Sequence, residues 1–217
     1  MLLALTTSVG ETFNAIVMGP KIATKGVLIV HDWWGVLDYN LEWAKRFVNL
    51  GYRAMVIDLY DGHRPVDVKE AGEYMRNIDQ ELANRKLQTA LAALKGPHRK
   101  VGVLGWSFGG LQAQQVILHS PQLADALVFF YCRVLLDRSK IAGLRCPVLA
   151  IFAETEPTWP DKQAALEHVM TESGKILECH SYDAGHGFAN PDSLRYDKEV
   201  TEKSWQITIT FLNKYLA

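Results

Sequence analysis

The stretch Val101–Gly110, VGVLGWSFGG, constrains the fold more than any other in the chain. Strand-forming residues stop at Gly105, Ser107 stands between Trp106 and Phe108, and the helix-compatible run FGGLQAQQVILH follows without a loop. A strand that passes directly into a helix turns sharply, and the residue at the turn takes a strained backbone conformation. Side chains two residues before and two after would collide, so Gly105 and Gly109 are the residues that fit. Gly110 then lets the helix pack close to its neighbour. The expected result is a serine hydroxyl at the mouth of a sheet, beside the free N–H groups and positive dipole end of a helix.

The rest of the chain supplies a sheet for that turn to belong to. An opening hairpin is expected from LLALT, a turn near Gly10–Glu11 and TFNAIVM. GVLIVH, from Gly26, is a continuous apolar run of the kind that forms a parallel strand buried on both faces. In NLEWAKRFVNLG, Leu41, Ala44, Phe47 and Val48 recur at helical spacing, with Asn40 as N-cap and Gly51 just past the end. RAMVID, KVGVLGW, ALVFFY, CPVLAIFA and KILECHSY read as further strands. Helices are expected across a long, broken stretch from Val66 to Leu94, around Lys162–Met170 and at the chain's end, although WQITITF also has a strand's alternation. Strand–helix alternation of this kind predicts a mostly parallel central sheet flanked by helices in a single α/β domain spanning residues 1–217.

Ligands of such sheets bind at the carboxyl ends of the strands. Residues at those ends include His31, Asp32, Trp33 and Trp34, then Asp58, Asp61 and His63, then Ser107, Cys132, Glu154 and Glu156, and His186. A serine hydroxyl needs a base to take its proton. His186, between two glycines in YDAGHGFAN, is the candidate, because the order serine, acid, histidine is the one this architecture requires. His98, His119, His168 and His180 have no such placement. A carboxylate must fix the imidazole tautomer. Glu156, held in a turn by Pro157, is the first choice and Glu154 the second, with Asp183 close to the histidine as a third. Trp33, Trp34, Trp106, Phe108, Trp159 and Phe188 cluster around these positions and predict an apolar or aromatic substrate pocket.

Composition removes several other classes. A net charge of −1 and the absence of a Lys/Arg run argue against a nucleic-acid partner. The N-terminal apolar run is too short for a signal-peptide core, and no later segment approaches the roughly 18 apolar residues of a membrane span. The cysteines, Cys132, Cys146 and Cys179, are odd in number, which predicts reduced thiols and a cytoplasmic protein. His31–Asp32 and Asp61-x-His63 are close pairs without the helical spacing of zinc ligands, so no metal is expected.

Taken with LIVHDWWGVLDYN, GYRAMVIDLYDG, CPVLAIFAETEPTWP and YDAGHGFAN, the Ser107 segment resembles the dienelactone hydrolase family, small α/β-hydrolases with no large cap domain. The resemblance runs from about Thr12 to the C-terminal helix. It implies hydrolysis of esters or lactones without a cofactor, and an oxyanion hole from the backbone N–H groups of Trp33 and Phe108. The chain departs from the family pattern in three ways. Ser107 stands where the best-known members carry cysteine, Glu156 where the acid is usually aspartate, and Asn190 where members that hold a substrate carboxylate have an arginine. Asp32 matches a glutamate that restrains the resting cysteine, and with serine it is expected only to line the site. The leading expectation is a monomeric serine carboxylesterase or lactonase acting on a small molecule. Three alternatives stay open: a thiol activity through Cys132, a thiol hydrolase changed from cysteine to serine at position 107, and a binding protein that kept the fold.

Overall fold

A computed structural model describes residues 1–217. Its centre is an eight-stranded sheet in the order β1-β2-β4-β3-β5-β6-β7-β8. β1 (Leu2–Thr6) and β2 (Thr12–Met18) form the expected hairpin, and β2 also runs antiparallel to β4 (Arg53–Ile57). The other strands, β3 (Lys25–Val30), β5 (Lys100–Trp106), β6 (Ala126–Phe130), β7 (Val148–Ala153) and β8 (Leu177–Tyr182), pair in parallel with one another and with β4. This is the α/β-hydrolase architecture.

Alternate residues of the central strands face two apolar layers. On one face Leu28, Val30, Val103 and Phe129 meet α3 (Gln80–Lys95), α4 (Phe108–His119) and α6 (Asp161–Glu172). On the other, Val27, Ile29, Trp106 and Phe130 meet α1 (Asp38–Asn49) and α7 (Lys198–Tyr215). Burial on both faces explains why these strands read as unbroken apolar runs. β3 pairs with β4 on one side and β5 on the other, so the chain reverses its direction of travel across the sheet there. A crevice opens at such a reversal, and the loops after β3 and β5 flank it.

The stretch 66–94 divides into α2 (Val68–Arg76) and α3, each started by an aspartate. Asp67 accepts from the Glu70 N–H at 2.8 Å and Asp79 from the Leu82 N–H at 3.0 Å. α1 begins earlier than its N-cap signal placed it. Asn40 lies inside the first turn, and its Oδ1 accepts from the Leu37 N–H at 2.8 Å. Gly51 follows the helix with φ +84°, as a C-terminal glycine should. A short helix, α5 (Arg138–Ala142), precedes β7. WQITITF is helical, because Thr201, Ser204, Trp205, Thr208, Phe211 and Leu212 bury one stripe at helical spacing. No helix is long and apolar enough to cross a membrane.

Candidate active site

Ser107 joins β5 to α4 with φ 51° and ψ −115°, a conformation that β-carbon-bearing residues rarely hold. Its neighbours make it tenable. A Cβ on Gly105 would lie 2.3 Å from the Gly109 carbonyl oxygen, so strand and helix touch backbone to backbone. A Cβ on Gly109 would lie 2.3 Å from the carbonyl oxygens of Val30 and His31, so α4 rests directly on the end of β3. Gly110 faces the Cys132 thiol in the same way, at 2.8 Å.

The loop after β8 brings His186 to this turn, and the loop after β7 brings Glu156. Glu156 Oε1 lies 2.6 Å from His186 Nδ1, and Ser107 Oγ lies 2.8 Å from His186 Nε2. A carboxylate at Nδ1 fixes the proton there, which leaves Nε2 to accept from the serine hydroxyl. Burial pushes the imidazole down to about 4; the Lys162 and Arg195 cations act in the same direction and Asp32 opposes them. The ring is therefore neutral, and able to accept a proton, at neutral pH. Glu154 points elsewhere, accepting from Ser181 Oγ at 2.6 Å, and Asp183 is exposed. Of the two glutamates, Glu156 is the one that reaches His186.

The backbone N–H groups of Trp33 and Phe108 have no protein acceptor. Phe108 opens α4, where first-turn N–H groups lack intrahelical partners. The loop carrying Trp33 is fixed by Asp32. Its Oδ1 accepts from the Trp34 N–H at 2.9 Å, and its Oδ2 from Tyr39 Oη at 2.8 Å and Asn190 Nδ2 at 3.4 Å. Burial pushes this carboxyl up from the usual range, and the hydrogen bonds from Trp34, Tyr39 and Asn190 oppose that. Asn190, where an arginine was expected of carboxylate-binding members, thus points at Asp32. His31 ties the ends of β3 and β4 together. Its Nε2 accepts from the Leu59 N–H at 3.0 Å and its Nδ1 donates to the Asp32 carbonyl at 2.6 Å.

Two clefts meet at Ser107 and His186. One, of about 750 Å³, is lined by Asp32, Trp33, Trp34, Leu37, Val66, Val68 and Leu194 among others. The second, of about 440 Å³, is lined by Trp33, Met75, Glu156, Pro157 and Arg195. Asp32 and Trp34 thus face the cleft as expected. Three expected lining residues do not. Trp106 is fully buried, edge-on to Trp43 with ring centres 5.0 Å apart, because the residue before Ser107 points to the α1–α7 face. Phe188 is fully buried against Tyr131 at 4.9 Å. Trp159 packs against the α3–α4–α6 layer and donates through Nε1 to Gln163 at 3.0 Å.

Cys132 is buried beneath Gly110, its thiol pushed up to about 12 by burial, with Gln114 Nε2 3.1 Å from its sulfur. It lines neither cleft, and burial disfavours the thiolate that a nucleophile would need. No three His, Cys, Asp or Glu side chains converge into a metal-ligating group. Lys162 and Arg195 were not singled out from sequence. Lys162 left a faint signal, since a lysine in the first turn of a helix opposes the helix dipole. Arg195 left none.

A family model described as the dienelactone hydrolase family matches residues 13–216. A carboxymethylenebutenolidase homolog of Rattus norvegicus is 26% identical, over 93% of this chain and 86% of its own. Among solved structures, one named m3DLH gives a TM-score of 0.88 at 20% identity, covering 100% of this chain and 98% of that one. A dienelactone hydrolase from Anabaena variabilis gives 0.72 at 23% identity, covering 100% and 99%. With the turn at Ser107, the eight-stranded sheet and a match across nearly its whole length, the chain belongs to the dienelactone hydrolase family.

Proposed function

We propose that the protein hydrolyses carboxylic esters or lactones through an acyl-enzyme on Ser107. The observation that carries this reading is the unbroken relay from Ser107 Oγ through His186 to Glu156, at 2.8 and 2.6 Å. His186 Nε2 takes the hydroxyl proton as Oγ attacks the carbonyl carbon, and the N–H groups of Trp33 and Phe108 receive the oxyanion. Collapse of the tetrahedral adduct expels the alcohol, protonated by His186, and leaves the acyl-serine ester. Water then attacks with its proton going to His186, and Ser107 leaves with that proton restored. Glu156 holds the ring's orientation and stabilises the imidazolium in both halves.

The indoles of Trp33 and Trp34 favour a substrate with an apolar or aromatic group. Turnover of short p-nitrophenyl esters tests the reading. Ser107→Ala should lower kcat by about 10³-fold or more, and an organophosphonate should label the peptide containing Ser107. Ester hydrolysis that survives Ser107→Ala overturns it, as does labelling elsewhere in the active protein. A folded protein with no turnover of any ester or lactone would favour the binding-protein alternative.

A further inference from the structure

Lys162 lies in the first turn of α6 and sends its ammonium group back to Glu156. It pairs with Oε2, the carboxylate oxygen that does not face His186. Both side chains are nearly covered, Lys162 being 12% and Glu156 10% exposed, and Lys162 pairs with no other carboxylate. A covered ammonium without a partner would be costly, and a lysine at a helix N-terminus also meets the positive end of the dipole. The ammonium lies 5.8 Å from the centre of the Phe152 ring, a weak attraction, and Glu156 is its one charged partner.

Glu156 has a matching need. A glutamate carries one more rotatable bond than an aspartate, so its carboxylate has more arrangements in which Oε1 misses the imidazole. An ammonium on Oε2 removes those arrangements, because the carboxylate is then held at both oxygens. We infer that Lys162 is a positioning residue, which pins the second oxygen of Glu156 and so aims the first at His186 Nδ1. This inference rests on the Ser107–His186–Glu156 reading. Lys162 touches none of the reacting atoms and acts only through Glu156.

Charged and titratable groups reach His186 from several elements. Glu156 comes from the loop after β7, Lys162 from the first turn of α6, Asp32 from the loop after β3, Arg195 from the loop before α7 and Tyr131 from the end of β6. Cys132 is the further group facing Lys162. Among these, Lys162 lowers the affinity of His186 for a proton. Removing the ammonium therefore shifts His186 titration upward, toward the ordinary imidazole value, and the acid limb of activity moves with it.

The test uses the full chain as wild type, Lys162→Met and Lys162→Arg. Proton NMR follows the His186 Nδ1–H signal and the ring's titration, and p-nitrophenyl acetate turnover is measured beside it. In Lys162→Met the Nδ1–H signal should broaden or vanish and the titration midpoint should rise. kcat should fall by about 10²-fold, with KM within about two-fold of wild type. Lys162→Arg should restore the signal and most of the rate. If Lys162→Met does not fold, Lys162→Gln, which keeps a donor without the charge, carries the same expectations. A neutral variant with an unchanged Nδ1–H signal and an unchanged midpoint overturns the inference, as does full activity. If wild type turns over no ester, the hydrolase reading fails, while the NMR comparison still decides the role of Lys162.

Discussion

Ser107 and His186 divide the labour of the candidate site between a strained backbone and a ring whose surroundings lower its affinity for a proton. The serine's φ of 51° stores on the order of 1–3 kcal/mol, held in place by glycines that let three backbone segments touch. Because burial and nearby cations push His186 down to about 4, the ring sheds its proton at a lower pH than a free imidazole. The base works only when neutral, so activity should be lost as pH falls through that depressed value. A kcat/KM profile should therefore stay flat from neutrality to about pH 5.5 and turn down below it. An acid limb centred at or above the ordinary imidazole value would contradict the assignment. At this scale the sequence was legible wherever chemistry sits inside a local pattern, as for Ser107 and His186 between their glycines. Choosing Glu156 over Glu154 required knowing that Ser181 takes Glu154, a contact between β8 and the end of β7. Trp106 and Phe188 misled because adjacency along a strand or loop does not carry two side chains to the same face.

The element that most limits variation is the turn from β5 into α4. A methyl group on Gly109 would meet the carbonyl oxygens of Val30, the last residue of β3, and of His31 just after it, both of them backbone atoms that cannot swing aside as a side chain can. Gly109→Ala should therefore lower stability by about 3 kcal/mol, read from the urea midpoint, and should displace Phe108 and the start of α4. An alanine variant as stable as wild type would show that the strand end yields. The central parallel strands could be read from sequence because, past the basic residue that opens β3, β4 and β5, burial on both faces leaves only apolar residues and glycine. α7 could not be read so plainly. ITIT alternates like a strand, yet its Thr208 is fully buried while Ile207 and Ile209 are only half-buried. The deciding stripe spans Thr201 to Leu212 and is visible only over three turns.

Across the whole molecule, α7 joins the candidate site to the far end of the sheet, and its two ends should respond differently to change. Near its start, the Asp197 N–H donates to the Phe188 carbonyl at 2.9 Å, and the Thr201 hydroxyl shares its one proton between that oxygen at 2.9 Å and the Asp197 carbonyl at 2.6 Å. Those bonds hold the loop that carries His186. Near its end, Leu212 is fully buried over Gly102, where a Cβ would come within 2.7 Å of its Cδ2. Gly102 lies toward the amino end of β5, away from Ser107. Leu212→Ala should open a cavity there and cost about 2–5 kcal/mol of stability, with kcat per titrated site unchanged. Thr201→Val keeps the side chain's shape and removes only the hydroxyl that bridges the Asp197 and Phe188 carbonyls, so it should cost about 1 kcal/mol. The loosened loop should nevertheless lower kcat by about 10-fold. Urea denaturation and organophosphonate active-site titration separate the two effects. Equal losses of kcat in both variants would mean that the sheet transmits packing defects from one end to the other, and that the relay at Ser107 depends on the whole core rather than on the loops at its carboxyl edge.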